Sequence, residues 1–109
     1  MARIVAIAPD LLFASRIEET LGAAGHGVTI APSVSEAPLD EADLLLVDLE
    51  RCNPDAVVGL GVPVIGFYPH LNAELRQLAE AAGVDRVVPR SRMAREMTAL
   101  VGAVLGRDE

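Results

Sequence analysis

The stretch DEADLLLVDLE, residues 40–50, runs from acidic residues through four apolar ones, Leu44 to Val47, and stops on a carboxylate at Asp48. The run is too short for a helix. A strand that is apolar at every position is one covered on both faces, which is the condition of strands in a parallel sheet flanked by crossover helices. Residues 43–48 are therefore read as a buried strand that delivers an acid to its carboxyl end. An acid there can serve as a helix cap, a solvated loop residue or part of a reaction site.

Working outward, the same alternation of apolar run and helical pattern fills the chain. RIVAIA (3–8) is β-branched and bounded by Pro9, which marks a first strand. DLLFASRIEETLGAAG follows with Leu11, Leu12, Ser15, Ile17 and Leu21 at roughly helical spacing, Asp10 in the N-cap position and Gly25 past the end. HGVTIA (26–31) is the second strand, and PSVSEAP leaves room for about one helical turn before Pro38. NPDAVVGL (53–60) opens as a helix should, with an Asn cap and Pro behind it, but Gly59 and Gly61 stop it early. VPVIGF (62–67) is the fourth strand. NAELRQLAEAAG (72–83) is an amphipathic helix with Leu75, Leu78, Ala79 and Ala82 inward. VDRVV (84–88) is the fifth strand, and SRMAREMTALVGAVLG (91–106) closes the chain with Met93, Met97, Leu100, Val101, Val104 and Leu105 on one stripe.

Strand–helix pairs in this order predict a single α/β domain over residues 1–109, a doubly wound parallel sheet with right-handed crossovers. In such sheets the site lies beyond the carboxyl ends of the strands, near the point where strand order reverses. Asp10, Asp48, Glu50, Tyr68 and Arg90 all fall at that end.

Composition narrows the function classes. The net charge of −7 argues against nucleic acid and against an anionic membrane surface, both of which call for a basic face. The apolar start is too short for a signal segment or a membrane span. The single Cys52 excludes an internal disulfide and a cysteine-rich metal site, and is compatible with a reducing cytoplasm. All nine basic residues are Arg, so no lysine amine is available for chemistry. His26 and His70 are isolated, the latter read as a loop or capping residue, and make no metal-binding spacing.

On ADLLLVDLE, on VPVIGFYPHLNAELRQLAEAAGVDRVVPR (62–90) and on RIVAIAPDLLFASRIEETLGAAGHGVTIA, the chain resembles the response-regulator receiver (CheY-like) family along nearly its whole length. The resemblance implies a flavodoxin-like (βα)5 fold of strand order 2-1-3-4-5, here with short second and third helices. It places the phospho-accepting position on Asp48. The other positions depart from the family pattern: the two metal-holding acids fall on Ala8 and Pro9 with Asp10 one residue late, the switch hydroxyl on Tyr68 followed by Pro69, the lysine on Arg90, and the proline after it on Ser91.

These departures leave Asp48 with three readings: a phosphoacceptor, a relic held by Arg90 or by backbone amides at the strand end, or a solvated acid. Mg²⁺ wants near-octahedral oxygen coordination, for which Asp48, the main chain at Glu50 and Asp10 are the available donors, so no metal or other cofactor is expected unless Asp48 is phosphorylated. Asp10 is read chiefly as a cap. Arg90 either pairs with Asp48 as a planar fork or opens the last helix facing solvent. Tyr68, whose hydroxyl lies a ring too far out, is expected to cover the pocket or stand at the surface.

The expectation is a cytoplasmic, non-enzymatic signalling module of pseudo-receiver type. It would act through a protein partner or a homodimer by the fourth helix, fifth strand and fifth helix: Arg76, Arg86, Arg92 and Arg95, with Ala99, Gly102 and Ala103 allowing close approach. The bland alternative for those arginines is a solvated rim. The functional alternatives are a Mg²⁺-dependent phospho-accepting receiver using Asp48, and a small flavodoxin-like module binding a ligand around Tyr68.

Overall fold

The computed structural model describes residues 2–69 and 71–106. His70 lies outside the described residues. Five strands are present: β1 (Arg3–Ile7), β2 (Gly27–Ala31), β3 (Leu44–Asp48), β4 (Val64–Tyr68) and β5 (Arg86–Pro89). Three α-helices accompany them: α1 (Leu11–Ala23), α2 (Ala73–Ala82) and α3 (Arg90–Gly106). All strand pairings are parallel and the order is β2-β1-β3-β4-β5, as expected.

Side chains that alternate along each strand build two cores. Ile4, Ala6, Leu44, Leu46, Ile65 and Phe67 pack with α1 and α3, whereas Val5, Ile7, Leu45, Val47 and Val64 pack on the other face with Ala79 of α2 and with Leu49 and Val57. Strands buried on both faces explain why their sequences read as unbroken apolar runs. Two acids secure the amino ends of strands. The Asp43 carboxylate accepts from the Arg3 amide at 2.8 Å, and that of Asp85 from the Val64 amide at 2.8 Å.

The helices start where their caps stand. The Asp10 side chain accepts from the Leu12 and Phe13 amides and that of Asn72 from the Leu75 amide. Several sequence expectations are corrected. The second and third helices are short, as expected, but are 3-10 turns rather than α-helix: Val34–Glu36 with Leu39–Glu41, and Pro54–Ala56. The third cannot continue because Gly59 and Gly61 take left-handed φ values of 74° and 77°.

With no helix there to cover it, Leu78 of α2 is 57% exposed rather than inward. It lines a groove with Asn53, Pro54 and Asp55. On α1 the inward set is Phe13, Ala14, Ile17 and Leu21; Leu11 and Leu12 are exposed. The stripe on α3 is as expected, with Met93, Met97, Leu100, Val101 and Val104 buried and Leu105 half-buried. That helix, however, is broken at Glu96, whose φ of −121° and ψ of 21° are not helical.

Candidate functional site

The carboxyl ends of β1, β3, β4 and β5 bring together Asp10, Asp48, Glu50 and Arg90. Asp48 closes β3 opposite Phe67 and is the one buried charged residue among those described, only 3% exposed. The alternation that sends Leu44 and Leu46 to the α1/α3 face sends position 48 there too. Its Oδ1 accepts from the Glu50 amide at 3.0 Å and its carbonyl from the Arg51 amide at 3.1 Å, so the chain folds back tightly behind the strand. No guanidinium lies within ion-pair distance of it among the described residues. Burial pushes its carboxyl above the usual range; the Glu50 amide and the charges of Arg90 and Arg51 oppose that shift.

Arg90 opens α3, but it neither pairs with Asp48 nor points freely into solvent. Its Nη2 donates to Asp10 Oδ2 at 2.7 Å. Its guanidinium carbon stands 4.5 Å from the centre of the Phe13 ring, and Phe13 in turn packs on Phe67 with centroids 4.9 Å apart at 48°. A guanidinium over an aromatic face gains from the ring quadrupole and from stacking.

Asp10 thus has both oxygens engaged, Oδ1 by the Leu12 and Phe13 amides at 3.0 and 3.3 Å and Oδ2 by Arg90. The Phe13 amide above all, with the Leu12 amide and Arg90, holds its carboxyl below the usual range. Nothing in the sequence marks Phe13 as part of this cluster, beyond its being one of only two phenylalanines and three positions after a capping acid.

Tyr68 also departs from expectation. It is buried, and it belongs to the core on the α2 side, the face of the sheet opposite to Phe67. It neither covers Asp48 nor reaches the surface. Two concave regions lie away from it: a groove of about 350 Å³ beside Val5, Thr29 and Pro38, and another of about 420 Å³ beside Leu78. Leu49, the residue after Asp48, turns to the α2 face, and Gly66 makes room for it there. A Cβ on Gly66 would lie 2.7 Å from Leu49 Cδ1 and 2.9 Å from its Cγ.

Side-chain oxygens for a metal are few. Ala8 is buried and Pro9 exposed, neither with a side-chain donor, and Asp10 is fully engaged. Asp48 and the main chain near Glu50 remain as donors at this end. No group of three or more acidic, His or Cys side chains among the described residues is arranged to hold a metal. Cys52 lies half-buried in the loop after Asp48, and its thiol is pushed up by burial and by the Asp48 charge. His26 accepts from the Ala2 amide at 3.2 Å through Nδ1, remote from this end.

The arginines of the expected contact surface lie on α2, β5 and α3. Arg76 and Arg92 each face a glutamate one turn on, at 3.9 Å from Glu80 and 3.5 Å from Glu96. Arg86 is half-buried at the start of β5; Arg95, Ala99, Gly102 and Ala103 are exposed.

Solved structures share this architecture from end to end. The receiver domain of Francisella response regulator 1452 is 16% identical, with all of both chains covered and a TM-score of 0.85. The fold is that of a response-regulator receiver. The non-phosphorylated HemR receiver domain from Leptospira biflexa has the same fold at 18% identity, with 96% of this chain and 94% of that one covered and a TM-score of 0.79. So does HP1043, an orphan response regulator of H. pylori, at 17% identity, 95% and 96% coverage and a TM-score of 0.76. No family model and no curated protein sequence matches the chain. Identities this low speak to the receiver fold alone. Among the described residues, no helix is long and apolar enough to cross a membrane.

Proposed function

We propose that this receiver fold works as a cytoplasmic pseudo-receiver, a non-enzymatic signalling module that acts by protein–protein contact. One observation carries the reading: Asp10 and Arg90, the acid and the cation nearest the roles of metal ligand and lysine, neutralise each other. Asp48 is left buried with a single backbone amide on its carboxylate. Phosphoryl transfer to a carboxylate needs cations to neutralise the moving oxygens, and here the nearest cation already holds a different acid.

The contact surface is the basic face of α2, β5 and α3, with Arg86 and Arg95 carrying no carboxylate partner among the described residues. A protein partner, or a second copy of the chain, docks there. The pairing of Arg76 and Arg92 with their own glutamates is long and exposed, and so holds those side chains only weakly.

The test is beryllofluoride with Mg²⁺, an acyl-phosphate mimic that binds only where a carboxylate, a metal and donors converge. The expected result is no saturable change in the amide resonances of Asp48, Leu49 and Glu50. Saturable shifts that vanish in Asp48→Asn would restore a working phosphoacceptor and overturn the proposal.

A further inference from the structure

We propose that Asp10, Arg90 and Phe13 form a latch that fixes the first segment of α3, residues 90–95, independently of the rest of that helix. Two unrelated observations meet here. The first is the break at Glu96, which separates residues 90–95 from the long apolar stripe that follows. A kink at a single residue weakens the mechanical coupling between the two halves of a helix, so that they can open separately.

The second is how the short segment is held. It has one buried anchor, Met93, and at its first residue the guanidinium of Arg90 lies against Asp10 and over Phe13. No loop intervenes between β5 and α3, since Pro89 ends one and Arg90 begins the other. The latch therefore ties the start of α3 to the start of α1, across the ends of the sheet, by groups that water can reach. Its Arg90 side chain is 31% and its Asp10 side chain 46% exposed.

The segment so held carries Arg92 and Arg95. The latch thus sets the geometry of part of the contact face without belonging to it, and opening it would loosen that face while leaving α3 beyond Glu96 in place. This last step rests on the function proposed above; the latch itself does not, and its test needs no partner.

The experiment is amide hydrogen exchange on the full chain, comparing the wild type with Arg90→Gln, Asp10→Asn and Arg90→Lys. The informative amides are those of residues 94–97, the first on α3 that can bond back to carbonyls within the helix. Arg90→Gln and Asp10→Asn are expected to speed their exchange at least tenfold, a change of roughly 1.4 kcal/mol in local opening, with Leu100, Val101 and Val104 unchanged. Arg90→Lys keeps the charge but loses the planar fork, and is expected to fall between.

Unchanged protection in residues 94–97 would overturn the latch. So would an equal loss along the whole of α3, which would mean that these residues merely stabilise the domain. Because beryllofluoride probes Asp48 and exchange probes α3, failure of the latch and failure of the pseudo-receiver reading are told apart.

Discussion

Replacing Gly66 with alanine tests how tightly the residue after Asp48 is seated. The added Cβ would meet three atoms of Leu49 at once, Cδ1 at 2.7 Å, Cγ at 2.9 Å and Cδ2 at 3.0 Å. Because Cγ is among them, turning Leu49 about its last torsion gives no relief, and the side chain must swing as a whole or β4 must move. Overpacking of this kind costs about 1–3 kcal/mol. Gly66 does not have a positive φ, so alanine is allowed there, and the smaller freedom of the unfolded chain returns about 0.4–1 kcal/mol.

The expected net loss for Gly66→Ala is thus about 1–2 kcal/mol, read as a lower urea midpoint with an unchanged slope. Leu49→Ala alone, in a side chain only 3% exposed, is expected to cost about 2–5 kcal/mol. In the double variant the new methyl enters the space that Leu49 leaves, so the two costs fall short of their sum by at least about 1 kcal/mol. Simple additivity, or a Gly66→Ala protein within about 0.5 kcal/mol of the wild type, would refute the packing argument.

Asp48→Asn is expected to stabilise the protein at neutral pH, since asparagine can still accept from the Glu50 amide without a buried charge. The folded state raises the Asp48 pKa and so binds its proton more tightly than the unfolded chain does. The cost of the carboxylate therefore grows as pH rises through that window and fades as pH falls below it. The advantage of the Asp48→Asn protein should shrink accordingly in denaturation curves taken at successively lower pH; an advantage that grows on acidification would contradict this. Asp85→Ala strips the Val64 amide, at a residue 2% exposed, of its acceptor and should cost about 1–3 kcal/mol in urea unfolding. Asp85→Asn keeps an acceptor oxygen and should stay near wild type, and equal damage from both changes would argue against the bond.

The sheet was legible because its strands are predominantly apolar and bounded by residues that punctuate, as at Pro9, Asp48 and Gly83. Caps were legible for a local reason as well: Asp10 and Asn53 act on amides within three residues of themselves. What stayed hidden is set by distant geometry. Arg90 and Asp10 are 80 residues apart in sequence, and only the convergence of the β1–α1 and β5–α3 junctions makes them neighbours. Tyr68 was misplaced for another reason. In a strand apolar on both sides nothing in the composition tells which parity faces which helix layer, and a shift of one residue exchanges the two. Leu11 and Leu12 misled in the same way, since two adjacent leucines fit either edge of a helical stripe.

The two sides of the sheet are unequally clad. One is covered by α1 and α3, of 13 and 17 residues, while much of the other lies under single 3-10 turns. A barrier to water made of short turns opens at less cost than one made of long packed helices, so thermal breathing of this domain begins on the α2 side. Lengthening a loop is thermodynamically mild as well. The segments around Val34–Glu36 and Pro54–Ala56 are consequently where the chain can best accept inserted residues, and where a protease would cut first.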